Sequence, residues 1–357
     1  MSGGVDSSVA AAVLLERGFE VLGVTLNVWP RLTVTEQVDR PDACCSLSAV
    51  EDARRVADRL GIPHYTLNFR EVFEQRVIDD FVAEYERGRT PNPCIRCNEH
   101  IKFDALLRRA LALGADFVAT GHYARIEYDP ARGRYLLRQG VDPSKDQSYV
   151  LYALKQAQLA HTLLPLGTMT KSETRALAAR LGLSVAQKAE SQEICFVPDN
   201  DYGGFIRRHS GKEPPPGPIF DRDGRRLGTH RGLPFYTVGQ RRGLGLAKGE
   251  PLYVVALDPA RNALVVGPES DLYADYLVAE DANLIAEQAL PEPVSATVKV
   301  RYRAPQAPAE VAQLADGALA VRFREPQRAL TPGQAVVAYQ GDVVLGGGTI
   351  ASVRRNG

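Results

Sequence analysis

Hydrophobic and polar positions follow two different patterns along the chain, and the change comes near residue 205. Before it, apolar residues recur at helical spacing and alternate with short runs rich in Val and Leu. Ser48 with Glu51 and Thr170 with Glu173 have the capping-box spacing that starts a helix. The predicted helices are 7–17, one from 46, 72–87, 99–113 and 170–181, and the predicted strands are 20–26, 64–69 and 116–120. Strands separated by helices predict an α/β fold with a doubly wound parallel sheet.

After residue 205 the helical period fades. Residues 207–248 are rich in Gly, Pro and Arg, and beyond residue 276 apolar and polar residues alternate one by one, as in Leu319–Arg324. This alternation, with turn signals between the runs, predicts a small antiparallel β-barrel. The sequence therefore predicts a catalytic domain over 1–205, a small basic linker domain over 206–275 and a C-terminal β-barrel over 276–357.

The charges cancel over the whole chain but not within it. There are 43 Lys and Arg against 43 Asp and Glu, whereas residues 207–248 hold ten cations and three anions. Such a segment is either a solvated loop or a surface for the RNA backbone. Glycines and Tyr236 are interspersed with the charges, which include three adjacent Arg pairs, and this makes the RNA surface a competitive interpretation.

No segment of the sequence suggests a membrane or secreted protein. The longest apolar run, Val9–Leu15, is far shorter than the roughly 20 residues that span a bilayer. No leader with a basic and then an apolar region opens the chain. The five cysteines are too few and too unevenly placed for a secreted disulfide framework. We expect a cytoplasmic protein.

A glycine-rich loop, Ser2-Gly3-Gly4-Val5-Asp6-Ser7-Ser8, leads straight into the first predicted helix. Its glycines allow close backbone approach, and its hydroxyls and the helix N-terminus offer donors to phosphates. Asp6 could hold a magnesium ion that bridges those phosphates. A simple turn with a helix cap is the alternative. The string resembles the loop of the N-type ATP pyrophosphatases, in which a buried strand precedes the loop, so we expect a further strand upstream of Met1.

Cysteines 94, 97 and 195 stand in segments that suggest chemistry. Residues 89–98 form a predicted loop, since two prolines and two asparagines break any period. Cys97 lies near the start of the next helix, where the helix dipole and Arg96 favour the thiolate. The alternatives are a packed core cysteine at 195 and a zinc site that includes Cys44 and Cys45. Because adjacent cysteines chelate zinc awkwardly, we interpret Cys44 and Cys45 as structural.

A series of strings, in order across nearly the whole chain, resembles the bacterial tRNA-specific 2-thiouridylase family. They are the loop Ser2–Ser8, T-P-N-P-x-x-x-C-N from Thr90, A-T-G-H-Y from Ala119, K-D-Q-S-Y from Lys145, I-C-F from Ile194, G-Q-R-x-G-L-G from Gly239, V-R-Y-R from Val300 and L-G-G-G from Leu345. Each string alone occurs by chance, but their combination is specific.

The resemblance implies ATP-dependent transfer of sulfur to C2 of the wobble uridine in tRNAs for Glu, Gln and Lys. ATP adenylates the C2 oxygen, with release of pyrophosphate and then AMP. Cys195 matches the persulfide carrier of the family and Cys97 its nucleophile, and a transient Cys97–Cys195 disulfide closes the cycle. The implied cofactors are ATP and Mg²⁺. The implied partners of a monomeric enzyme are tRNA and a sulfur donor protein, either a cysteine desulfurase or a sulfur-relay carrier.

The resemblance also assigns binding residues position by position. The nucleotide would contact Ser2, Gly3, Gly4, Val5, Asp6 and Ser7, with Leu26 at the adenine and Gly121 along the nucleotide. The tRNA would contact Asn92, Pro93, Cys94, His122, Lys145, Asp146, Gln147, Arg301, Tyr302 and Gln334. The target base must leave its stack to reach the site.

One departure from the family keeps a second mechanism open. Cys94 stands where the best-known members carry an Asp that is proposed as an acid or base. Cys94, Cys97 and Cys195 could instead hold three irons of a 4Fe–4S cluster, which would make the protein a cluster-dependent thiolase. Two further alternatives are another ATP pyrophosphatase, such as an amide-forming ligase, and a non-catalytic tRNA-binding protein with a degenerate nucleotide site.

Overall fold

The computed structural model describes residues 1–28, 47–188, 194–197, 201–246 and 250–354. Cys44 and Cys45 lie outside these ranges. The chain forms two compact units. The first comprises Met1–Ile78, Cys94–Asn200 and Asp342–Val344, and the second comprises Asp79–Pro93, Asp201–Gly341 and Leu345–Gly357.

The helices and strands predicted before residue 205 are present in the predicted order with shifted ends, together with elements such as the strands Ala124–Asp129 and Arg134–Gln139 that the sequence pattern did not indicate. The α-helices are α1 Val5–Glu16, α2 Leu47–Leu60, α3 Arg70–Phe73, α4 Asp79–Glu86, α5 Pro93–Arg96, α6 Leu106–Ala112, α7 Gln156–Ala160, α8 Lys171–Arg180 and α9 Tyr202–Ser210. Stretches Glu74–Ile78 and Cys97–Ala105 are π-helical, and Ser148–Leu151, Pro165–Thr168, Leu233–Phe235 and Glu269–Leu272 are 3₁₀-helical.

The strands fall into short parallel pairs and longer antiparallel runs. They are β1 Gly23–Asn27, β2 His64–Asn68, β3 Val118–Ala119, β4 Ala124–Asp129, β5 Arg134–Gln139, β6 Thr162–Leu163, β7 Gly217–Phe220, β8 Arg226–His230, β9 Tyr253–Asp258, β10 Ala263–Gly267, β11 Tyr273–Leu284, β12 Val294–Lys299, β13 Ala307–Gln313, β14 Leu319–Arg328, β15 Ala335–Gln340 and β16 Val343–Arg354.

The first unit combines helices with two short parallel strand pairs and one antiparallel pair, β4 with β5. β1 pairs with β2 and β3 pairs with β6, both in parallel. Val9 of α1, Val56 of α2 and Leu177 of α8 are buried in one apolar cluster. Met1 lies along β1, because its carbonyl accepts a hydrogen bond from the Thr25 hydroxyl at 2.8 Å. The further strand expected before the loop stays a prediction.

Two helix starts differ from the expected ones. The helix expected from residue 99 begins at Pro93, because a proline at the first helical position has the right φ and lacks only an N–H that the helix does not use. Ser48 lies inside α2 rather than at its cap. The Thr170 box is formed as predicted: the Thr170 backbone N–H donates to the Glu173 carboxylate at 2.7 Å.

The second unit is mostly antiparallel. A middle sheet has the strand order β8-β7-β10-β9. The C-terminal strands run β11-β14-β13-β12-β15-β16, and β11 also pairs with β16, which closes the barrel that the alternation predicts. Residues 207–210, expected to lack helical structure, belong to α9. No helix among the described parts of the chain is long and apolar enough to cross a membrane.

Candidate active site

The glycine-rich loop turns directly into α1. Gly4 is the N-cap residue and has no side chain to cap the first turn. The Ser2 backbone N–H donates to the Ser7 hydroxyl at 3.0 Å, and the two Ser hydroxyls are 3.2 Å apart. These bonds curl the loop over the helix N-terminus, whose unpaired N–H groups favour an anion. The loop therefore fits the phosphates of a nucleotide.

Gly3 stands at a position that only glycine can occupy. Its φ is +65°, in the left-handed region, and a Cβ there would lie 2.2 Å from the Ala49 carbonyl oxygen of α2. The backbone of the loop thus rests directly on α2. This contact fixes the position of the loop relative to α2.

Asp6, in the first turn of α1, is held by two side chains from distant segments. The Lys171 Nζ donates to both of its carboxylate oxygens, at 2.7 and 2.8 Å, and the Tyr123 hydroxyl donates to Oδ1 at 2.8 Å. The Tyr123 hydroxyl is also 3.0 Å from Thr174 Oγ1. Lys171 is only 9% exposed. The carboxylate proposed for magnesium is therefore already neutralised by an ammonium group, and its role toward a metal stays a prediction.

The turn that contains Gly121 packs on the start of α1. A Cβ on Gly121 would lie 2.6 Å from the Asp6 carbonyl carbon and 2.8 Å from the Ser7 nitrogen. This places Gly121 beside the loop, and its contact with a nucleotide stays a prediction. Leu26, expected at the adenine, is half-buried in β1 opposite Leu67, and its role stays a prediction.

His122 is a buried neighbour of this turn. Its Nδ1 is 2.7 Å from the Thr120 hydroxyl, and its ring lies 6.0 Å from the Phe103 ring centroid. Burial, with the nearby charge of Lys102, holds the pKa of His122 well below its usual value, so the ring is neutral at neutral pH. Contact of His122 with tRNA stays a prediction, since its side chain is covered here.

Lys188 connects the loop to the segment that leads to Cys195. Its Nζ donates to the Gly3 carbonyl at 3.1 Å and to Asp52 Oδ2 at 2.6 Å. Burial acts to raise the pKa of Asp52, but hydrogen bonds from Lys188 and Arg55 outweigh it and hold that pKa below its usual value. Arg175 donates to the Lys188 carbonyl at 3.2 Å. Lys188 is thus held by the Gly3 carbonyl of the loop, by Asp52 of α2 and by Arg175 of α8.

Cys94 and Cys97 lie one turn apart at the start of a helix. Cys94 is exposed and Cys97 is half-buried as the first residue of the π-helical stretch. The Arg96 guanidinium, expected to favour the thiolate, donates to Glu99 at 3.0 Å, so its charge is shared with a carboxylate. The buried Asn98 amide donates to the Val150 carbonyl at 2.9 Å and anchors this helix start.

Cys195 is positioned by its neighbour in the chain. Phe196 is buried and packs edge-on against Phe73, with ring centroids 5.8 Å apart. The helical run Arg70–Ile78, which carries Phe73, packs against the π-helical stretch that begins at Cys97. The predicted nucleophile Cys97 and the predicted persulfide carrier Cys195 therefore belong to segments that share one packing partner.

The thiols are not arranged as metal ligands. Within the described ranges, which include Cys94, Cys97 and Cys195, no group of three His, Cys, Asp or Glu side chains could hold a metal ion. The residues present in this conformation therefore do not fit a three-cysteine cluster, and we derive no step through one. A zinc site that uses Cys44 and Cys45 falls on residues outside the described ranges.

The K-D-Q segment predicted to contact tRNA is braced internally. The Asp146 carboxylate accepts hydrogen bonds from the Gly140 N–H at 3.1 Å and the Ser148 hydroxyl at 3.0 Å. Gln147 accepts one from the Tyr123 N–H at 3.0 Å. Lys145 is half-buried in the same turn. The structure gives Asp146 and Gln147 a bracing role, and tRNA contact by the three residues stays a prediction.

The remaining tRNA positions lie in the second unit. Arg301 and Tyr302 follow β12, and the Arg301 guanidinium donates to the Ala329 carbonyl. The Gln334 amide donates to the carbonyls of Thr90 and Pro91 at 2.8 and 3.3 Å. Asn92 and Pro93 follow these carbonyls in the chain. The structure thus connects Gln334 with the T-P-N-P segment, a link that no motif indicated.

Sequence reasoning missed the lysines of the nucleotide site. Lys171 and Lys188 are more than 160 residues from the loop atoms that they bind, and neither belongs to a recognised string. The capping box next to Lys171 predicts a helix start but not what lies beside it. Tyr123 was only part of the A-T-G-H-Y string, whereas the structure gives its hydroxyl a bond to Asp6.

Three family models match successive parts of the chain. They are described as tRNA methyl transferase HUP domain over residues 1–199, tRNA methyl transferase PRC-barrel domain over 203–268, and Aminomethyltransferase beta-barrel domain over 274–350. This series confirms the predicted fold class, an α/β nucleotide-binding domain followed by a small domain and a C-terminal antiparallel barrel.

Curated relatives match over nearly the full length. The chain is 60% identical over 353 residues to the tRNA-specific 2-thiouridylase MnmA of Moorella thermoacetica, covering 99% of this chain and 98% of that protein. It is 55% identical over 353 residues to the protein of the same name from Pelotomaculum thermopropionicum, covering 99% and 96%.

Solved structures are similar to the chain only in part. The U34-tRNA thiolase NcsA from Methanococcus maripaludis with its [4Fe-4S] cluster matches with a TM-score of 0.32 and 20% identity, over 58% of this chain and 64% of that one. The NMN synthetase from Francisella tularensis matches with a TM-score of 0.31 and 17% identity, over 60% and 76%. Likeness at this level does not decide between mechanisms.

Proposed function

The chain belongs to the tRNA-specific 2-thiouridylase family, and from this membership we propose that it is a tRNA sulfurtransferase that thiolates C2 of the wobble uridine with ATP. The substrate tRNAs are those for Glu, Gln and Lys. A cysteine desulfurase or a sulfur-relay carrier supplies the sulfur. The single observation that carries the proposal is the pairing, in one unit, of an uncapped glycine loop with two thiol segments packed on a common helical run.

The loop binds the nucleotide. The N–H groups at the start of α1 and the Ser7 hydroxyl bind the ATP phosphates, and Gly121 lies along the nucleotide. Lys171 cancels the charge of Asp6, which would otherwise repel those phosphates. The uridine C2 oxygen attacks the α-phosphorus and pyrophosphate leaves, so that C2 carries AMP as a leaving group. Mg²⁺ on the phosphates would supply further charge neutralisation.

The two thiols then transfer sulfur. The terminal sulfur of the Cys195 persulfide attacks C2 and AMP leaves. The Cys97 thiolate attacks Cys195 Sγ, which breaks the sulfur–sulfur bond to the nucleoside and leaves 2-thiouridine and a Cys97–Cys195 disulfide. A cellular dithiol supplies the two electrons that reduce this disulfide. Two thiols are needed because one cannot both carry the sulfur and release it.

Replacing single cysteines tests the function. We expect that Cys97→Ser and Cys195→Ser abolish 2-thiouridine, measured by mass spectrometry of tRNA nucleosides after incubation with ATP and a persulfide donor. Binding of tRNA to both variants should persist, because neither substitution removes a cation that could bind the phosphate backbone. Cys94→Ser changes a thiol one turn from Cys97 that the persulfide steps do not use, so this variant should keep thiolation at saturating tRNA even if the contact of residue 94 with the tRNA is weakened.

Each contrary outcome points to a different alternative. Continued thiolation by Cys97→Ser would contradict the persulfide mechanism. Loss of activity in all three variants, together with iron in protein purified without oxygen, would favour the cluster-dependent thiolase. A wild-type protein that binds tRNA without forming AMP would be the non-catalytic binding protein.

A further inference from the structure

The segment Arg89–Pro93, which we call the strap, links α4 to Cys94 and has few backbone hydrogen-bond donors. Pro91 and Pro93 have no N–H, so only three of its five residues can donate from the backbone. Such a segment can be fixed mainly through its carbonyl oxygens, which need donors from elsewhere. Where those donors come from decides what controls the position of the strap.

The barrel supplies the hydrogen-bond donors for the strap carbonyls through the side chain of Gln334. Both donors of its amide are used on the strap, on Thr90 O at 2.8 Å and Pro91 O at 3.3 Å. The Thr90 N–H in turn donates to the Pro332 carbonyl at 2.8 Å. The backbone of Gln334 is fixed against β16, because its backbone carbonyl accepts a hydrogen bond from the Ile350 N–H at 2.8 Å. The amide is therefore a rigid donor rather than a mobile surface group.

The approach of the barrel to the strap requires a glycine. Gly333 has φ of +90°, and a Cβ there would lie 2.7 Å from the Thr90 nitrogen and 2.9 Å from Arg89 Cβ. The Pro332–Gln334 turn thus presses directly on the strap backbone. This is a close backbone contact of the same kind as the one between Gly3 and α2.

Charges and the middle domain hold the same segment. Arg89 is ion-paired with Glu84 of α4 at 2.7 Å and with Glu280 of β11. Both Arg89 and Glu84 are mostly buried, so the pairs fix geometry better than an exposed pair would. The Thr90 hydroxyl donates to Thr237 Oγ1 at 3.3 Å. Barrel, middle domain and α4 thus meet at two consecutive residues of the strap.

We propose that Gln334 is a positioning residue that sets the place of Cys97 through the strap, in addition to any contact that it makes with tRNA. Pro93 is the last residue of the strap and the first residue of the helix that carries Cys97, so a shift of the strap moves that helix start. This inference rests on the proposed function for its catalytic readout. Its physical basis is the double hydrogen bond to Thr90 and Pro91.

The test compares Gln334→Ala and Gln334→Glu with Gln340→Ala. Glu keeps the shape of Gln but replaces the donor with an acceptor that faces two carbonyls, and Gln340 is an exposed residue at the end of β15. We expect both Gln334 variants to lower kcat for thiolation about tenfold, with the KM for tRNA changed less than about twofold. Gln340→Ala should match the wild type. Thermal melting identifies any variant that fails to fold.

A second readout needs no enzymatic activity. The rate at which iodoacetamide modifies Cys97, resolved by peptide mass spectrometry without tRNA or ATP, should differ from the wild type in both Gln334 variants and not in Gln340→Ala. If the wild type proved inactive, the proposed function would fail while this rate still tested the strap. A raised KM for tRNA with unchanged kcat and an unchanged Cys97 rate would overturn the inference and leave Gln334 as a tRNA contact only.

Discussion

The phosphate loop Ser2–Ser8 and the strap Arg89–Pro93 each hold the start of a helix, but they are held by different parts of the molecule. The loop rests on α2 through Gly3 and receives Lys171 and Lys188, all within the first unit. The strap lies wholly in the second unit, where it accepts hydrogen bonds from Gln334 of the barrel and donates one to Thr237 of the middle domain. Residues of the first unit alone therefore hold the loop that is proposed to bind the nucleotide. By contrast, the strap, which leads into the helix that carries Cys97, is held by the middle domain and the barrel, both of which are expected to bind tRNA.

Gly3→Ala is expected to have the largest effect on the loop side of this comparison. The new Cβ would meet the Ala49 carbonyl at 2.2 Å, and φ of +65° adds strain, so the loop must leave α2. AMP formation should fall by about 100-fold or more, with tRNA binding retained. Gly18→Ala is the matched control, since it has φ of +84° but open space around the new Cβ.

Gly333→Ala is the corresponding change on the strap side, with a smaller expected effect. Its Cβ would lie 2.7 Å from the Thr90 nitrogen, which displaces the strap without touching the loop. Thiolation should fall about tenfold while AMP formed per tRNA bound changes little. Gly341→Ala, with φ of +60° and open space, controls for backbone strain. Equal losses of thiolation and of AMP formation would show that the strap and the loop are not separately controlled.

Lys171→Met removes the counter-charge of Asp6 with little change in side-chain volume. The exposed carboxylate should repel the phosphates and raise the KM for ATP about tenfold, equivalent to about 1.4 kcal/mol. The KM for tRNA should not change, because the strap and barrel are untouched. Steady-state kinetics with varied ATP measure the effect, and an unchanged KM for ATP would show that the ion pair does not serve nucleotide binding.

The smallest expected effect is on stability and concerns His122, beside the loop. Its pKa is lowered in the folded protein, so the folded state stays unprotonated while the unfolded chain takes up a proton below about pH 6.5. Stability should therefore fall as the pH drops below about 6.5, by at most about 1.4 kcal/mol per pH unit. Urea unfolding of the wild type and His122→Gln at about pH 5.5 and 7.5 checks this, and equal pH dependence of the two would contradict it.

The sequence predicts the features that depend on local patterns. The loop, the capping box at Thr170 and the alternation at Leu319–Arg324, which lies in β14, are local patterns, and each was found in the structure where the residues indicated. The barrel and the fold class were predictable because period two and turn residues suffice for them. A start at Pro93 was missed because two prolines look like a loop, although one of them begins a helix.

The contacts that complete the site were not predictable, because they join residues far apart in the chain. Nothing near Lys171 marks Asp6 as its partner, and nothing near Gln334 marks Thr90. Asp146 and His122 carry polar side chains that suggest ligand contact, yet both are buried and bonded within the protein. A polar residue in a motif therefore indicates importance without telling whether it binds a ligand or supports the residues that do.

The most direct test of the account follows the sulfur itself. Protein loaded with a heavy-sulfur persulfide on Cys195 is mixed with ATP and tRNA for a single turnover, and the nucleosides and the cysteine peptides are analysed by mass spectrometry. We expect heavy sulfur in 2-thiouridine and an equal amount of Cys97–Cys195 disulfide. Formation of 2-thiouridine that contains only light sulfur, or without that disulfide, would contradict it.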